Sequence, residues 1–310
     1  MSRRKIFISW AAVSLVLLGC DSLFENQKAF PSRFPETVLH FLKSGDMPKV
    51  YLPKSLETYD PASATIFGDR ATIPVIALWG DSHAGALLPV LDALGKEHKI
   101  AFRSYDMPSQ PPMTGVTRRK LPDAKKRADY SAGALAAITG DSQIRTVILH
   151  ARWASYTRDE NLEKGPPALL DHSFDTIEAQ RNYVISRLDD AVNQLLKAGK
   201  QVVIVHPMPE IAGAIPDYLA KLAAAGKEVP YEIRSDQYHS YNRKIVQALD
   251  AWTGTSNVKT IHPEQLLIRN ARMRIRSGNE LLYRDNDHLS VAGALYLKAL
   301  FEPFFREPLR

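Results

Sequence analysis

Three residues have types and spacing that suit catalysis at a serine hydroxyl. Ser82 follows Gly80 and Asp81 at the end of a short apolar run and precedes a helical pattern. Near the other end of the chain, Asp285 and His288 lie three residues apart before another helical pattern. A serine becomes nucleophilic when a histidine accepts its proton and a carboxylate orients that histidine. These residues are therefore candidates for nucleophilic catalysis.

Each candidate also has a purely structural interpretation. Ser82 lies where a helix N-cap is favoured, and Asp285 with His288 would suit a solvated acidic turn. Asp287 competes with Asp285 for the carboxylate role, because the sequence does not show which side chain faces the histidine. In the catalytic interpretation, backbone N–H groups at the turn containing Ser82 would stabilise an oxyanion.

Short apolar segments alternate with longer amphipathic segments along the chain. The predicted strands are Val75–Trp79, Ile100–Arg103, Thr146–His150, Gln201–Val205 and Val258–Ile261. The predicted helices are Ala84–Leu94, Tyr130–Ile138, Thr176–Lys197, Tyr241–Trp252 and Val291–Phe305. This alternation predicts an α/β fold, a flavodoxin-like three-layer α/β/α domain with a central parallel sheet. Functional residues should then follow the strands, since sites in such sheets lie beyond the carboxyl ends of the strands.

The residues after these strands resemble the sequence blocks of a known superfamily. The GDSH at residues 80–83, together with the DNDH at residues 285–288, resembles the first and last blocks of the SGNH/GDSL hydrolases. With the VILHARW at residues 147–153 and the YRDNDHLS at residues 283–290, the chain is similar to one branch of that superfamily. This branch is the SGNH domain fused to membrane acyltransferase-3 (O-acetyltransferase) domains, which O-acylate bacterial surface polysaccharides.

The resemblance implies that Ser82 is the nucleophile, His288 the general base and Asp285 its orienting partner. It implies an extracytoplasmic O-acyl (acetyl) transferase or esterase that acts on a bacterial surface carbohydrate through an acyl-serine intermediate. A separate membrane acyltransferase is then an expected partner, and no cofactor is expected. The alternative is a non-catalytic, SGNH-like glycan-binding module that assists such an acyltransferase.

Other residues of the expected site have two interpretations each. The superfamily uses a glycine and an asparagine as further oxyanion donors, and Gly115 and Arg152 are the candidates here. Arg152 would serve equally as a salt-bridge residue. Trp153 would stack on a sugar or pack in the core. His206 would line the substrate cleft or be a buried histidine of a turn.

The first twenty residues are typical of an export signal. A basic start precedes a 13-residue apolar run from Ile6 to Leu18, and the run ends at Cys20, the only cysteine of the chain. The end of this segment resembles a bacterial lipobox, in which Cys20 would carry a lipid. The interpretation predicts a protein anchored by lipid to a membrane and facing the periplasm. The alternative is a signal anchor with an incidental cysteine.

Composition and the remaining motifs exclude several functions. The chain has 310 residues and a net charge of +6. No apolar stretch reaches the roughly 18 residues of an ordinary spanning helix, which excludes a polytopic membrane protein. Its basic runs come without a nucleic-acid-binding motif, so no nucleic-acid partner is expected. We find no metal-ligand spacing and no phosphate loop.

The expected organisation is a signal peptide at 1–20, a tether and irregular lead-in at 21–72, and an SGNH-type domain at 73–310, with a helical, lid-like insertion at Ile211–Asp236.

Overall fold

The computed structural model describes residues 35–53, 59–118, 123–158, 167–168, 174–211, 213–235 and 237–306. The expected signal peptide and Cys20 lie outside these residues, so the lipid anchor stays a prediction. None of the helices within the described ranges is long and apolar enough to cross a membrane.

The strands are numbered in chain order. They are β1 (Thr65–Gly68), β2 (Pro74–Gly80), β3 (Ala101–Asp106), β4 (Thr117–Arg118), β5 (Thr146–His150), β6 (Pro167–Ala168), β7 (Gln201–Val205), β8 (Glu232–Arg234), β9 (Val258–Ile261), β10 (Ile268–Arg269), β11 (Arg272–Arg274), β12 (Arg276–Ser277) and β13 (Glu280–Leu281). Six of them form the central sheet in the spatial order β1-β3-β2-β5-β7-β9. The parallel strands of this sheet are β3, β2, β5, β7 and β9. Strand β1 pairs antiparallel with β3 at the edge. The predicted α/β fold with a central parallel sheet is confirmed.

Helices lie on both faces of this sheet. They are α1 (Glu36–Lys43), α2 (Ser82–Gly85), α3 (Leu88–His98), α4 (Ala124–Gly140), α5 (Ala154–Thr157), α6 (Ile177–Lys197), α7 (Ile215–Ala224), α8 (Gln237–Asp250), α9 (Glu264–Leu267), α10 (Val291–Tyr296), α11 (Lys298–Phe301) and α12 (Pro303–Arg306). Two predicted helices are interrupted. The first breaks between α2 and α3, where Pro89 occupies the opening turn of α3, and the last divides into α10, α11 and α12. A proline suits the first turn of a helix because it has no N–H to leave unpaired there.

Two apolar layers cover the sheet, as the alternation of side chains along a strand requires. In β2, Ile76 and Leu78 belong to the layer packed against α3 and α10, whereas Ala77 and Trp79 belong to the layer packed against α4 and α6. All four side chains are buried. The central strands therefore cannot slip in register without exchanging the two faces.

The region expected to be an irregular lead-in contributes to the domain. Strand β1 completes the central sheet, and Phe67 stacks on Phe102 of β3 with ring centroids 5.5 Å apart. Helix α1 buries Val38 and Phe41 in the core. The described domain therefore begins well before residue 73. The proposed insertion is helical in part, since it contains α7, and α7 packs against α1.

Candidate active site

The central strands end together at one edge of the sheet. Gly80 at the end of β2 pairs with Asp106 of β3 on one side and with His150 of β5 on the other. A Cβ at Gly80 would lie 1.7 Å from the His150 carbonyl oxygen, so only glycine allows this close approach of two backbones. The residues just after β2 and β5 are consequently neighbours.

Ser82 begins helix α2 immediately beyond β2. The preceding residue, Asp81, caps this helix by accepting the backbone N–H of His83 at 2.8 Å. The same carboxylate accepts the backbone N–H of Arg152 and, at 2.9 Å, the hydroxyl of Tyr156. Asp81 therefore ties the turn containing Ser82 to the segment that follows β5. The N-cap role considered for Ser82 belongs to Asp81 instead.

The loop before α10 holds Asp285 and His288 in a compact turn. Oδ1 of Asp285 accepts the backbone N–H groups of Asp287 and His288, at 2.9 and 2.7 Å. The backbone N–H of Arg284 donates to the His288 carbonyl at 3.0 Å, which closes the turn. Ser290 then caps α10 by accepting the N–H of Gly293. These local bonds fix the side chain of His288 relative to the helix that follows.

The two distant segments meet at hydrogen-bond distance. Nε2 of His288 lies 2.8 Å from Oγ of Ser82, and Nδ1 of His288 lies 2.8 Å from Oδ2 of Asp285. The arrangement has the order nucleophile, base and orienting carboxylate that activates a serine hydroxyl. Backbone bonds to Asp285 leave its Oδ2 directed to the imidazole. The residues predicted for catalysis are thus brought together.

A second carboxylate, that of Asp287, lies beside the imidazole of His288. Its Oδ1 lies 3.3 Å from Nδ1 of His288, and its Oδ2 lies 3.3 Å from Nε2 of His83. Burial opposes the charge of both carboxylates, but their hydrogen bonds to His288 outweigh it and hold the pKa of Asp285 and Asp287 below the ordinary value. Burial likewise opposes the charge of His288, yet the two carboxylates raise its pKa to about 9. Asp285 and Asp287, the two carboxylates considered from the sequence, therefore both face the imidazole.

Arg152 lies on the far side of Asp287. Its Nη1 is 2.7 Å from Oδ2 of Asp287, and its Nε and Nη2 are 2.7 and 2.6 Å from Oε2 of Glu210. Burial opposes the charge of the guanidinium, but Glu210 and Asp287 raise its pKa. The salt-bridge interpretation of Arg152 is therefore present in the structure. A guanidinium has five N–H donors, so these contacts leave donors for the predicted oxyanion role, which stays a prediction.

The remaining predicted site residues lie in other surroundings. Trp153 is 1% exposed and donates its indole N–H to the carbonyl of Val205, so core packing, rather than stacking on a sugar, fits its position. Gly115 has a left-handed φ of 76°, and a Cβ there would contact Tyr183 and Arg187 of α6 rather than the triad. The turn itself accounts for this glycine.

His206 follows β7 and is fully buried. Burial, and then the neighbouring imidazole of His262, lowers its pKa to about 4. The interpretation of His206 as a buried histidine of a turn fits this position, and a fully buried ring does not line an open cleft.

Sequence reasoning missed two contributors to the site. Glu210 is buried and anchors Arg152, and His83 is buried against Asp287, with its ring centroid 4.7 Å from that of His288. A sequence signal existed for Glu210, because it follows β7 by five residues at the edge of the sheet where the site was expected. For His83, the sequence signal was its position next to Ser82.

Several solved structures are similar to this chain, and the first one described here supports the fold. The periplasmic domain of a lipopolysaccharide acetyltransferase from Salmonella ser. Paratyphi A is similar with a TM-score of 0.57 and 15% identity, covering 76% of this chain and 85% of that domain. A putative acylhydrolase from Bacteroides fragilis matches with a TM-score of 0.43 and 12% identity, covering 83% of this chain and 98% of the other. A GDSL-like lipase from Bacteroides thetaiotaomicron matches with a TM-score of 0.40 and 11% identity, covering 76% of this chain and 88% of the other.

The sequence itself carries the assignment to a family. No curated protein with which the sequence was compared matches it. The family model described as SGNH domain (fused to AT3 domains) matches residues 51–303, which includes Ser82, Asp285 and His288. The match extends over more than half of the chain and starts upstream of β1. The chain therefore belongs to the family of SGNH domains that are fused to AT3 domains.

Proposed function

We propose that the protein is a serine-dependent O-acyl transferase or esterase of the cell envelope that acts on a bacterial surface carbohydrate. One observation carries the proposal, which is the chain of two 2.8 Å contacts from Ser82 through His288 to Asp285. Membership of the SGNH family and the likeness to a periplasmic acetyltransferase domain are consistent with it. A separate membrane acyltransferase is the partner that we propose as acyl donor.

The proposed reaction starts with attack of the Ser82 hydroxyl on an acyl carbonyl. Nε2 of His288 takes the hydroxyl proton, and the backbone N–H of Ser82 with Arg152 stabilises the oxyanion. The tetrahedral intermediate collapses to an acyl-serine, and His288 returns the proton to the leaving oxygen. An acceptor hydroxyl then attacks the acyl-serine and gives its proton to His288. The bond from the acyl carbon to Oγ breaks, and His288 returns that proton to Oγ of Ser82.

The acceptor decides between transfer and hydrolysis. Water competes at about 55 M in an open cleft, so transfer requires a bound sugar hydroxyl and exclusion of water. We propose transfer to a sugar, because relatives of this family are fused to acyltransferase domains. The segment that carries α7 is placed to affect access, since the backbone N–H groups of Ile211 and Ile215 bond to the carbonyls of Asn286 and Asp285.

Covalent labelling tests the nucleophile directly. A fluorophosphonate probe should label the protein, and the Ser82→Ala variant should lose both labelling and hydrolysis of a model acetyl ester. Ser240→Ala is the matched control, because Ser240 is exposed on α8 and its hydroxyl donates to the carbonyl of Gln237 in the same helix. That variant should label normally.

Mass spectrometry of the labelled protein identifies the modified residue. Labelling at Ser82 supports the proposal. An unreactive protein that still binds glycan would favour the alternative of a binding module, and activity that survives Ser82→Ala would contradict the nucleophile.

A further inference from the structure

A second cluster of ligand-type side chains lies at the same edge of the sheet, away from the triad. His206 follows β7 and His262 follows β9, the adjacent strand, and their ring centroids are 4.0 Å apart. Glu264 is the first residue of α9, two residues after His262. One ligand atom of each of these three residues lies within 4.8 Å of the others.

His206 is the unusual member of this cluster. Its side chain is 1% exposed, and neither nitrogen of its ring forms a hydrogen bond within the described part of the chain. Oε2 of Glu264 is also buried without such a bond. Buried polar groups are nearly always paired, and an unpaired one calls for a partner such as an ion. Oδ1 of Asp250 approaches Nε2 of His206 at 3.7 Å and supplies a fourth ligand-type atom.

We propose that His206, His262 and Glu264 bind a zinc ion. Imidazole and carboxylate ligands in a set of three or four suit zinc, whereas magnesium and calcium take more oxygen ligands. Ligand atoms about 2.1 Å from a tetrahedral zinc are about 3.4 Å apart. Atoms that lie within 4.8 Å of one another must therefore approach by at most about 1.4 Å to bind the ion. Asp250 or a water molecule completes the tetrahedron.

The surroundings support these ligands. Nδ1 of His262 lies 3.1 Å from Oε1 of Glu264, and its Nε2 lies 3.2 Å from Oγ1 of Thr260. Binding of zinc at Nδ1 would keep the bond from Nε2–H to Thr260, which is the kind of outer contact that orients a ligating histidine. Tyr238 donates its hydroxyl to the carbonyl of Pro207 at 3.1 Å, so it braces the backbone of the residue that follows His206.

Two further clusters of this kind occur among the residues that the structure describes, and both differ from this one. The cluster of His83, Asp287 and His288 belongs to the triad, and its imidazoles contact its carboxylate directly. The cluster of Glu97, His98 and Glu302 is half-buried to exposed. Neither contains a buried histidine with both nitrogens unpaired.

The zinc would join the ends of β7 and β9 and fix the start of the segment that leads to Glu210, the anchor of Arg152.

Zinc binding by the purified protein tests this proposal. After removal of metals with a chelator, the wild type should take up about one equivalent of zinc and melt at a higher temperature as zinc is added. His262→Gln and Glu264→Gln change half-buried residues and should each weaken binding at least about tenfold and remove the thermal shift. The matched control is His98→Gln, which alters a half-buried histidine in the exposed cluster and should bind like the wild type.

Cobalt provides a spectroscopic check that does not depend on activity. Cobalt(II) in the wild type should give the strong visible absorption of a four-coordinate ion, and this absorption should be lost in Glu264→Gln. Circular dichroism confirms that each variant is folded before it is compared. The proposal is wrong if the wild type fails to bind zinc stoichiometrically, or if folded His262→Gln and Glu264→Gln variants bind zinc as tightly as the wild type.

Discussion

Replacing Asp287 with asparagine should lower the pKa of His288 and shift the pH dependence of catalysis. The two side chains approach at 3.3 Å, and the pKa of His288 is about 9. At that separation the Coulomb attraction is about 5 kcal/mol for an effective dielectric constant of 20. Arg152, bonded to the other oxygen of Asp287, cancels part of this attraction. A shift of about 1–2 pKa units therefore remains, equivalent to about 1.4–2.7 kcal/mol.

The direction of the shift in pH dependence follows from the protonation form of His288 that is active. His288 must be neutral to accept the Ser82 proton, so kcat/KM of the wild type should rise with pH until His288 has lost its own proton, near pH 9. Asp287→Asn removes a negative charge that stabilises the imidazolium. The rising limb should therefore move about 1–2 units toward lower pH. The measurement is kcat/KM for a model acetyl ester between pH 5 and about 10.

Asp285→Asn is the matched comparison, since it changes the carboxylate bonded to Nδ1 at 2.8 Å. This variant should lose activity across the whole pH range, because the orientation and tautomer of His288 depend on that bond. If Asp287→Asn left the limb in place or moved it to higher pH, the assignment of Asp287 as a second charge on His288 would be refuted.

Two further predictions rest on single contacts, and a third rests on the lipobox-like sequence. Gly80→Ala should destabilise the fold by about 3 kcal/mol or more, seen as a lower Tm, because a Cβ there would lie 1.7 Å from a carbonyl oxygen of β5; Gly140→Ala, where a Cβ contacts nothing within 4 Å, is the control. Tyr156→Phe should lower the free energy of unfolding in urea by about 1.5–3 kcal/mol, because it removes the hydroxyl that donates to Asp81. Cys20→Ser should abolish labelling with a radioactive fatty acid, and unchanged labelling would contradict the lipoprotein interpretation.

The central sheet was predictable because its strands are short, apolar and rich in β-branched residues. Strand β7 and strand β9 begin and end at the predicted residues, and β2 differs by one residue at each end. Strand β1 was missed, because its four residues lie at the sheet edge and two of them are only half-buried, so they lack the continuous apolar run of a central strand. Only pairing with β3 identifies it.

The triad was predictable for a different reason. Ser82 and His288 adjoin helix starts, and their sequence blocks resemble a known superfamily, so position and motif indicated the same residues. Contacts made by long side chains were not predictable. The bonds of Arg152 to Glu210 and Asp287 join three separate loops, and no spacing in the sequence reports which carboxylate a guanidinium reaches. The pair His206 and His262 escaped notice likewise, since only the neighbouring placement of β7 and β9 unites them.

The edge strand β1 has a consequence for any shortened form of this protein. A fragment that starts at residue 73 would leave the backbone of β3 without its outer partner and would uncover Phe102, on which Phe67 stacks. An apolar strand with open N–H and C=O groups invites pairing with the same strand of another molecule. Residues 65–68 therefore protect this edge of the sheet against self-association.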